Sequence, residues 1–209
     1  MGRKSASEID ENQEPMSEKA EQILKGAMQE FLAHGYAATS MDRVAAAAGV
    51  SKATVYSHFQ DKEGLFTALV ARMAQQKFSV IYAPTLLEGD PVTVLRRMAT
   101  VAMSRVCCDP EQHAFVRLVM GEADRFPQLA QIFVQYVTKP GVDFLSHYFT
   151  DHPELNIPDP EATARIVIGA IVHFAQVQEM LHGAEIMPME SDRIIDALMH
   201  LVMRERVIS

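Results

Sequence analysis

Tryptophan is absent from this chain of 209 residues, aromatic residues make up only 7% of it, and there are just two cysteines. Those two, Cys107 and Cys108, are adjacent, and neighbouring residues do not close a disulfide without strained geometry, so no disulfide framework is expected. Such usage predicts a protein of the reducing cytoplasm. There is no uninterrupted apolar run of membrane-spanning length, and the charged amino-terminal stretch has no apolar core of the kind a secretion signal needs. Membrane insertion and export are therefore not expected. Strand-like alternation is missing as well, which leaves an all-α reading. Positive charge is also short: the formal net charge is -8, and residues 1–60 hold six Lys/Arg against eight Asp/Glu. A nonspecific nucleic-acid coat is excluded, and any DNA contact has to come from a locally arranged surface.

What is present is helical. Hydrophobic residues make up 48% and charged residues 22%, the balance of a globular chain, and 13 methionines supply flexible core side chains. Residues 1–16 are polar, carry Arg3 and Lys4 at the tip, run on through Glu8, Asp10, Glu11 and Glu14, and predict a flexible arm. From the N-cap Ser17, apolar residues fall at Ile23, Leu24, Ala27, Met28 and Phe31, predicting a first helix stopped at Gly35. Ser40 caps a short second helix with Met41, Val44, Ala45 and Ala48 inward, and Gly49 ends it. After the turn Gly49-Val50-Ser51 a third helix puts Val55 and Phe59 inward and leaves Lys52, Ala53, Thr54, Ser57 and His58 outward. Asp61 starts a fourth helix with Leu65, Phe66, Leu69, Val70 and Met73 on its buried side.

Further helices are predicted at about 90–108, 111–122, 126–150 with an irregularity at Pro140-Gly141, 160–182 and 190–206. The segments EATARIVIGAIVHFAQVQEML and SDRIIDALMHLVMRERV are too apolar to be covered on one side only. Pairing with the same helices of a second copy, in a two-fold four-helix interface, covers them most simply; a thick monomeric core is the alternative.

Two short helices joined by a tight glycine turn form the unit whose second helix can enter a major groove. The small residues Ala45 to Ala48 allow close approach, Gly49 permits the left-handed turn and Ser51 caps the reading helix. The run YAATSMDRVAAAAGVSKATVYSHFQDKEGLFTALV resembles the DNA-binding domain of the TetR/AcrR family of regulators. The likeness covers residues 17 to about 77 and is carried by Thr39, Ala45, Ala48, Gly49, Val50, Ser51, Tyr56, His58, Phe59, Lys62 and Leu65. Val44 stands where Ile is commoner. Downstream, RLVMGEADRFPQLAQIF resembles, more weakly, the regulatory domain of the AefR-like branch.

The resemblance implies an N-terminal three-helix helix-turn-helix domain over 17–77 and a larger C-terminal helical ligand-binding and dimerisation domain over 78–209. It implies phosphate contacts from Thr39, Ser40, Arg43, Tyr56 and Lys62. Base-edge reading is expected from Lys52, Ala53 and Thr54, with His58 nearby, behind the capping Ser51. It implies a homodimer on a palindromic operator in double-stranded DNA, released by a small, hydrophobic effector. Met98, Met103, Phe115 and Met120, with Phe144, His173 and Phe174, are the candidate lining of the effector pocket.

Enzyme motifs are missing: there is no G-x-S-x-G, P-loop, G-x-G-x-x-G or H-E-x-x-H. Glu179-x-x-His182 has half the spacing of a di-iron site, without a second pair, so no metal and no cofactor are expected. Two alternatives remain open at this level. A thiol sensor would use Cys107 and Cys108, and a DNA-binding regulator without a small-molecule switch would act through protein partners or as an activator.

Overall fold

The computed structural model describes residues 16–203. Residues 1–15 and 204–209, and with them the arm bearing Arg3 and Lys4, lie outside the described residues. Among the described residues every regular element is a helix, and no helix is long and apolar enough to cross a membrane. The chain divides into two compact units, with the boundary between Leu69 and Val70.

The first unit contains α1 (Glu18–Ala38), α2 (Met41–Ala47), α3 (Lys52–His58) and the start of α4 (Lys62–Ile81). Each short helix begins where its cap predicts: the hydroxyls of Ser17, Ser40 and Ser51 accept from the backbone N–H groups of Ala20, Arg43 and Thr54. Asp61 does the same for Gly64 at 2.7 Å. The predicted stop at Gly35 is a break: its φ of 76° interrupts α1, and a last turn follows to Ala38. Around this break Phe31, Tyr36 and Phe66 pack ring against ring, with centroids 5.6–5.7 Å apart. Gly26 lets α2 close down on α1, because a Cβ there would lie 2.8 Å from the backbone nitrogen of Ala48.

The second unit holds the rest of α4, then α5 (Pro91–Cys107), α6 (Pro110–Glu122), α7 (Pro127–Phe133), α8 (Lys139–Asp151), α9 (Pro160–Ala175) and α10 (Ser191–Val202). Its main core joins α5, α8, α9 and α10 through residues such as Val94, Leu145, Phe149, Val167, Ile171 and Ile195. Asp90, Asp109 and Asp159 cap α5, α6 and α9 with a proline at the following position, where a missing N–H costs nothing.

The predicted irregularity of the 126–150 segment is displaced from Pro140-Gly141 to a π-helical turn over Val134–Thr138. Pro140 has no N–H to donate and its ring would collide with the carbonyl four residues back, so the strain is absorbed in the preceding turn. There the Lys139 N–H reaches Val134 O, five residues back. A second π turn, Gln176–Met180, ends the α9 segment. Gln178 is buried and donates to Met187 O at 3.0 Å, so the widened turn delivers an amide inward to hold the chain after Gly183.

Glycine substitutions test this packing. Gly26→Ala is expected to cost about 1–3 kcal/mol, the penalty of overpacking a close contact. Gly121→Ala, with nothing within 4 Å, is expected to gain about 0.5–1 kcal/mol from helix propensity. Urea unfolding midpoints of the two variants against the parent chain check both signs.

Candidate nucleic-acid interface

The turn between α2 and α3 is closed by backbone hydrogen bonds. The Gly49 N–H donates to Ala46 O at 3.1 Å and the Val50 N–H to Ala45 O at 3.0 Å, the paired bonds of a Schellman helix end. Gly49 has φ +63°, which a side chain rarely adopts. Gln22 of α1 adds a donor to Ala48 O at 2.6 Å. Within α3 only Val55 is buried, and Phe59 just after it is also buried, so both point inward as predicted. The opposite face, Lys52, Ala53, Tyr56, Ser57 and His58, is open, and Thr54 beside it is partly so.

Several of the predicted contacts carry internal partners. The Lys52 ammonium sits 2.7 Å from the Asp42 carboxylate of α2 and 5.9 Å from the Tyr56 ring, and the Asp42 hydrogen bond pushes its pKa up. Both members are exposed, so the pair can be exchanged for a base or a phosphate with little loss. The Arg43 guanidinium lies 3.2 Å from the Glu30 carboxylate and 3.0 Å from Nε2 of His34. The Thr54 and Ser51 hydroxyls are 2.7 Å apart. Ser40 is exposed and Tyr56 is 45% exposed.

Two expected phosphate contacts are engaged elsewhere. Thr39 is buried, and its hydroxyl donates to Glu30 O at 3.0 Å and Gly35 O at 2.8 Å. Lys62 donates from Nζ to Tyr36 O at 2.8 Å, Thr39 O at 2.9 Å and Ala37 O at 3.4 Å, and lies 4.3 Å from the Tyr36 ring centre. Its three donors satisfy carbonyls at the end of α1 that have no helical partner. Both residues tie α1 to the elements that follow. Sequence reasoning missed Gln22 and Gly26, whose only signal is a polar and a small residue beside the apolar stripe of α1.

The predicted effector lining is dispersed. Met98, Met103 and Phe174 are buried in the main core of the second unit, and Phe144 packs against it while stacking on Tyr82 at 3.7 Å. Met120 is 56% exposed and His173 is exposed. Of the seven, Phe115 alone borders a shallow cleft in this unit, about 260 Å³ including its open mouth. The walls of the cleft are Val70, Met73, Ala74 and Lys77 of α4, Gln112 and Phe115 of α6, Phe133 of α7 and Val137 of the π turn. Lys77 follows the apolar positions of α4 at helical spacing, which is the signal that could have found it. Burial pushes its pKa down from 10.5 to about 8, opposed by the Asp109 carboxylate.

The cysteines do not form a reactive pair. Burial first, then Glu179 and Cys108, push the Cys107 thiol up to about 11, and it contacts Met103 Sδ at 3.5 Å. Cys108 is exposed.

A helix-turn-helix with an exposed reading face, followed in sequence by a larger helical unit, defines a transcriptional regulator rather than an enzyme. The pattern of bacterial regulatory proteins of the TetR family matches residues 23–69, and that of the C-terminal domain of AefR-like transcriptional repressors matches residues 93–205. The chain belongs to the TetR family, in its AefR-like branch. Its relatives include the repressor AcnR of Corynebacterium efficiens, 33% identical over 47% of this chain and 45% of that one. Among solved structures, the flavonoid-responsive regulator FrrA superposes with a TM-score of 0.74 at 27% identity, covering 89% of this chain and 95% of that one. The fatty acid degradation regulator FadR from Bacillus halodurans shares the fold, with a TM-score of 0.70 at 17% identity over 92% of this chain and all of its own. The chain spans about half the length of the curated relatives it matches.

Three measurements follow from this geometry. Lys62→Met is expected to lower the stability of the first unit by about 1–3 kcal/mol, because buried carbonyls lose their donor; Tyr56→Ala leaves the melting midpoint unchanged. Thiol alkylation near neutral pH goes to Cys108, so Cys108→Ser abolishes labelling of the native chain. Because Lys77 is depressed in the folded state, the unfolded chain holds the extra proton between about pH 8 and 10.5, and unfolding free energy rises with pH across that window. Comparison with Lys77→Met isolates the slope.

Proposed function

We propose that the chain is a homodimeric repressor that binds a palindromic operator in double-stranded DNA and leaves it when a small molecule occupies the second unit. The observation that carries this reading is the open face of α3 behind a backbone-closed turn, with only Val55 of that helix committed to the core. Lys52, Ala53, Thr54 and His58 read base edges, while Ser40, Arg43 and Tyr56 hold phosphates and set the register. Ser51 caps the reading helix. Thr39 and Lys62 are positioning residues, which hold the end of α1, Lys62 from the start of α4.

Residues 17–77 act as the DNA-binding domain and 78–209 as the ligand-binding and dimerisation domain. Support for a dimer comes from the outer face of α9, where Ile166 is 65% exposed, Val172 is exposed and Gly169 has open space around it. Leu201 of α10 is 65% exposed as well. A second copy would bury these residues in a symmetric interface, and a cytoplasmic setting fits two unpaired cysteines. The flavonoid response of FrrA belongs to that relative, and it supports ligand release as the mode of control here. A shift in spacing of two reading heads, which must fit major-groove faces about 34–36 Å apart, releases both together.

Anisotropy titrations on palindromic fragments from beside the gene test this reading. Arg43→Ala with Tyr56→Ala is expected to weaken binding to every sequence and to flatten the salt dependence by about 0.9 in slope for the phosphate that Arg43 no longer neutralises. Unchanged affinity removes the assigned contacts. Ile166→Glu is expected to yield monomers by sedimentation and to abolish operator binding, and a dimer that persists overturns the α9 interface.

A further inference from the structure

The cleft in the second unit is apolar on nearly every side. Val70, Met73, Phe115, Phe133 and Val137 supply its surface, and the polar exceptions are Lys77 and Gln112. An ammonium in such surroundings is unfavourable unless something pairs with it. Among the described residues no hydrogen bond or ion pair forms to Lys77. Asp109, the carboxylate that acts on it electrostatically, is occupied as the N-cap of α6, accepting the Gln112 N–H at 3.0 Å.

We propose that Lys77 anchors an anionic effector, a small carboxylate with a short apolar tail, which places its charge on the ammonium and its tail against Phe115, Phe133 and Val137. The proposal rests on the ligand-responsive reading above and deepens it by naming the chemistry of the occupant. Charge selects a monoanion, because a phosphate dianion would find a single cation among the lining residues. The Gln112 amide can donate to the second carboxylate oxygen. Size selects a short tail: the cleft is narrow even with its open mouth counted, so an occupant has to be small and has to widen it.

Tight walls also supply the coupling. A ligand that fits only when the cleft widens prefers a displaced α4, and that difference in affinity is what lets binding shift a conformational equilibrium. One wall of the cleft is the second half of α4, a helix that starts at Lys62. The other is formed by α6, α7 and the π turn, where the backbone is already off the regular helical ladder.

Isothermal titration calorimetry of the full chain with sodium hexanoate and with 1-hexanol, a neutral probe of equal length, tests the site. Wild type is expected to bind hexanoate roughly tenfold or more tightly than hexanol, the discrimination expected of one charge-assisted contact. Lys77→Met removes that preference and Lys77→Arg retains it. Equal affinity for the two probes, no binding of hexanoate, or a preference that survives Lys77→Met overturns the proposal. Should Lys77→Met melt well below wild type, Lys77→Gln takes its place with the same expected result. The calorimetry contains no DNA, so failure of the Lys77 site is read separately from failure of the operator-binding reading.

Discussion

The first unit depends on a short stretch of backbone in which Gly49 turns left-handed and Val50 bonds back to Ala45. Backbone hydrogen bonds set the angle between α2 and α3 there. Because only Val55 of α3 is committed to the core, the helix keeps a whole face for another molecule. The same turn needs α1 close beneath it, which Gly26 permits and Gln22 secures through Ala48 O. A larger residue at either glycine would strain the turn from opposite sides, one through conformation and one through volume.

Cations around that turn illustrate two ways of using a lysine. Lys52 is held by an exposed carboxylate in high dielectric, where partners exchange readily. Lys62 is held by three carbonyls and an aromatic ring, and removing it leaves acceptors stranded. The net charge of -8 leaves no long-range attraction to nucleic acid, so an exposed cation such as Lys52 can act only at short range. Specificity benefits, since nonspecific adhesion gains nothing from the bulk charge.

Local signals were legible in the sequence and distant ones were not. The caps at Ser17, Ser40 and Ser51, the stop at Gly35 and the Gly49 turn are written within four residues of where they act, and the structure bears them out. The resemblance assigns Thr39 and Lys62 to phosphates, and sequence alone does not show their internal partners, Glu30 and Gly35 for Thr39 and, 26 residues away, Tyr36 for Lys62. The effector lining is hard to read for a related reason. Methionine and phenylalanine at helical spacing describe a core as well as a cavity, and only packing separates Met98 in the core from Phe115 at the cleft. Pro140 announced a disturbance, but the ladder yields on the N-terminal side of a proline, so the widened turn comes first.

That widened turn alters the phase of everything beyond it. One additional residue in a helical coil rotates the following side chains by about 100° about the axis, so the stretches before and after Val134–Thr138 address different neighbours. Phe133 and Val137 look onto the cleft, whereas Val142, Leu145 and Phe149 look into the main core. A single helix thereby serves two masters, and descendants of this chain that lost one residue there would have to surrender one of them.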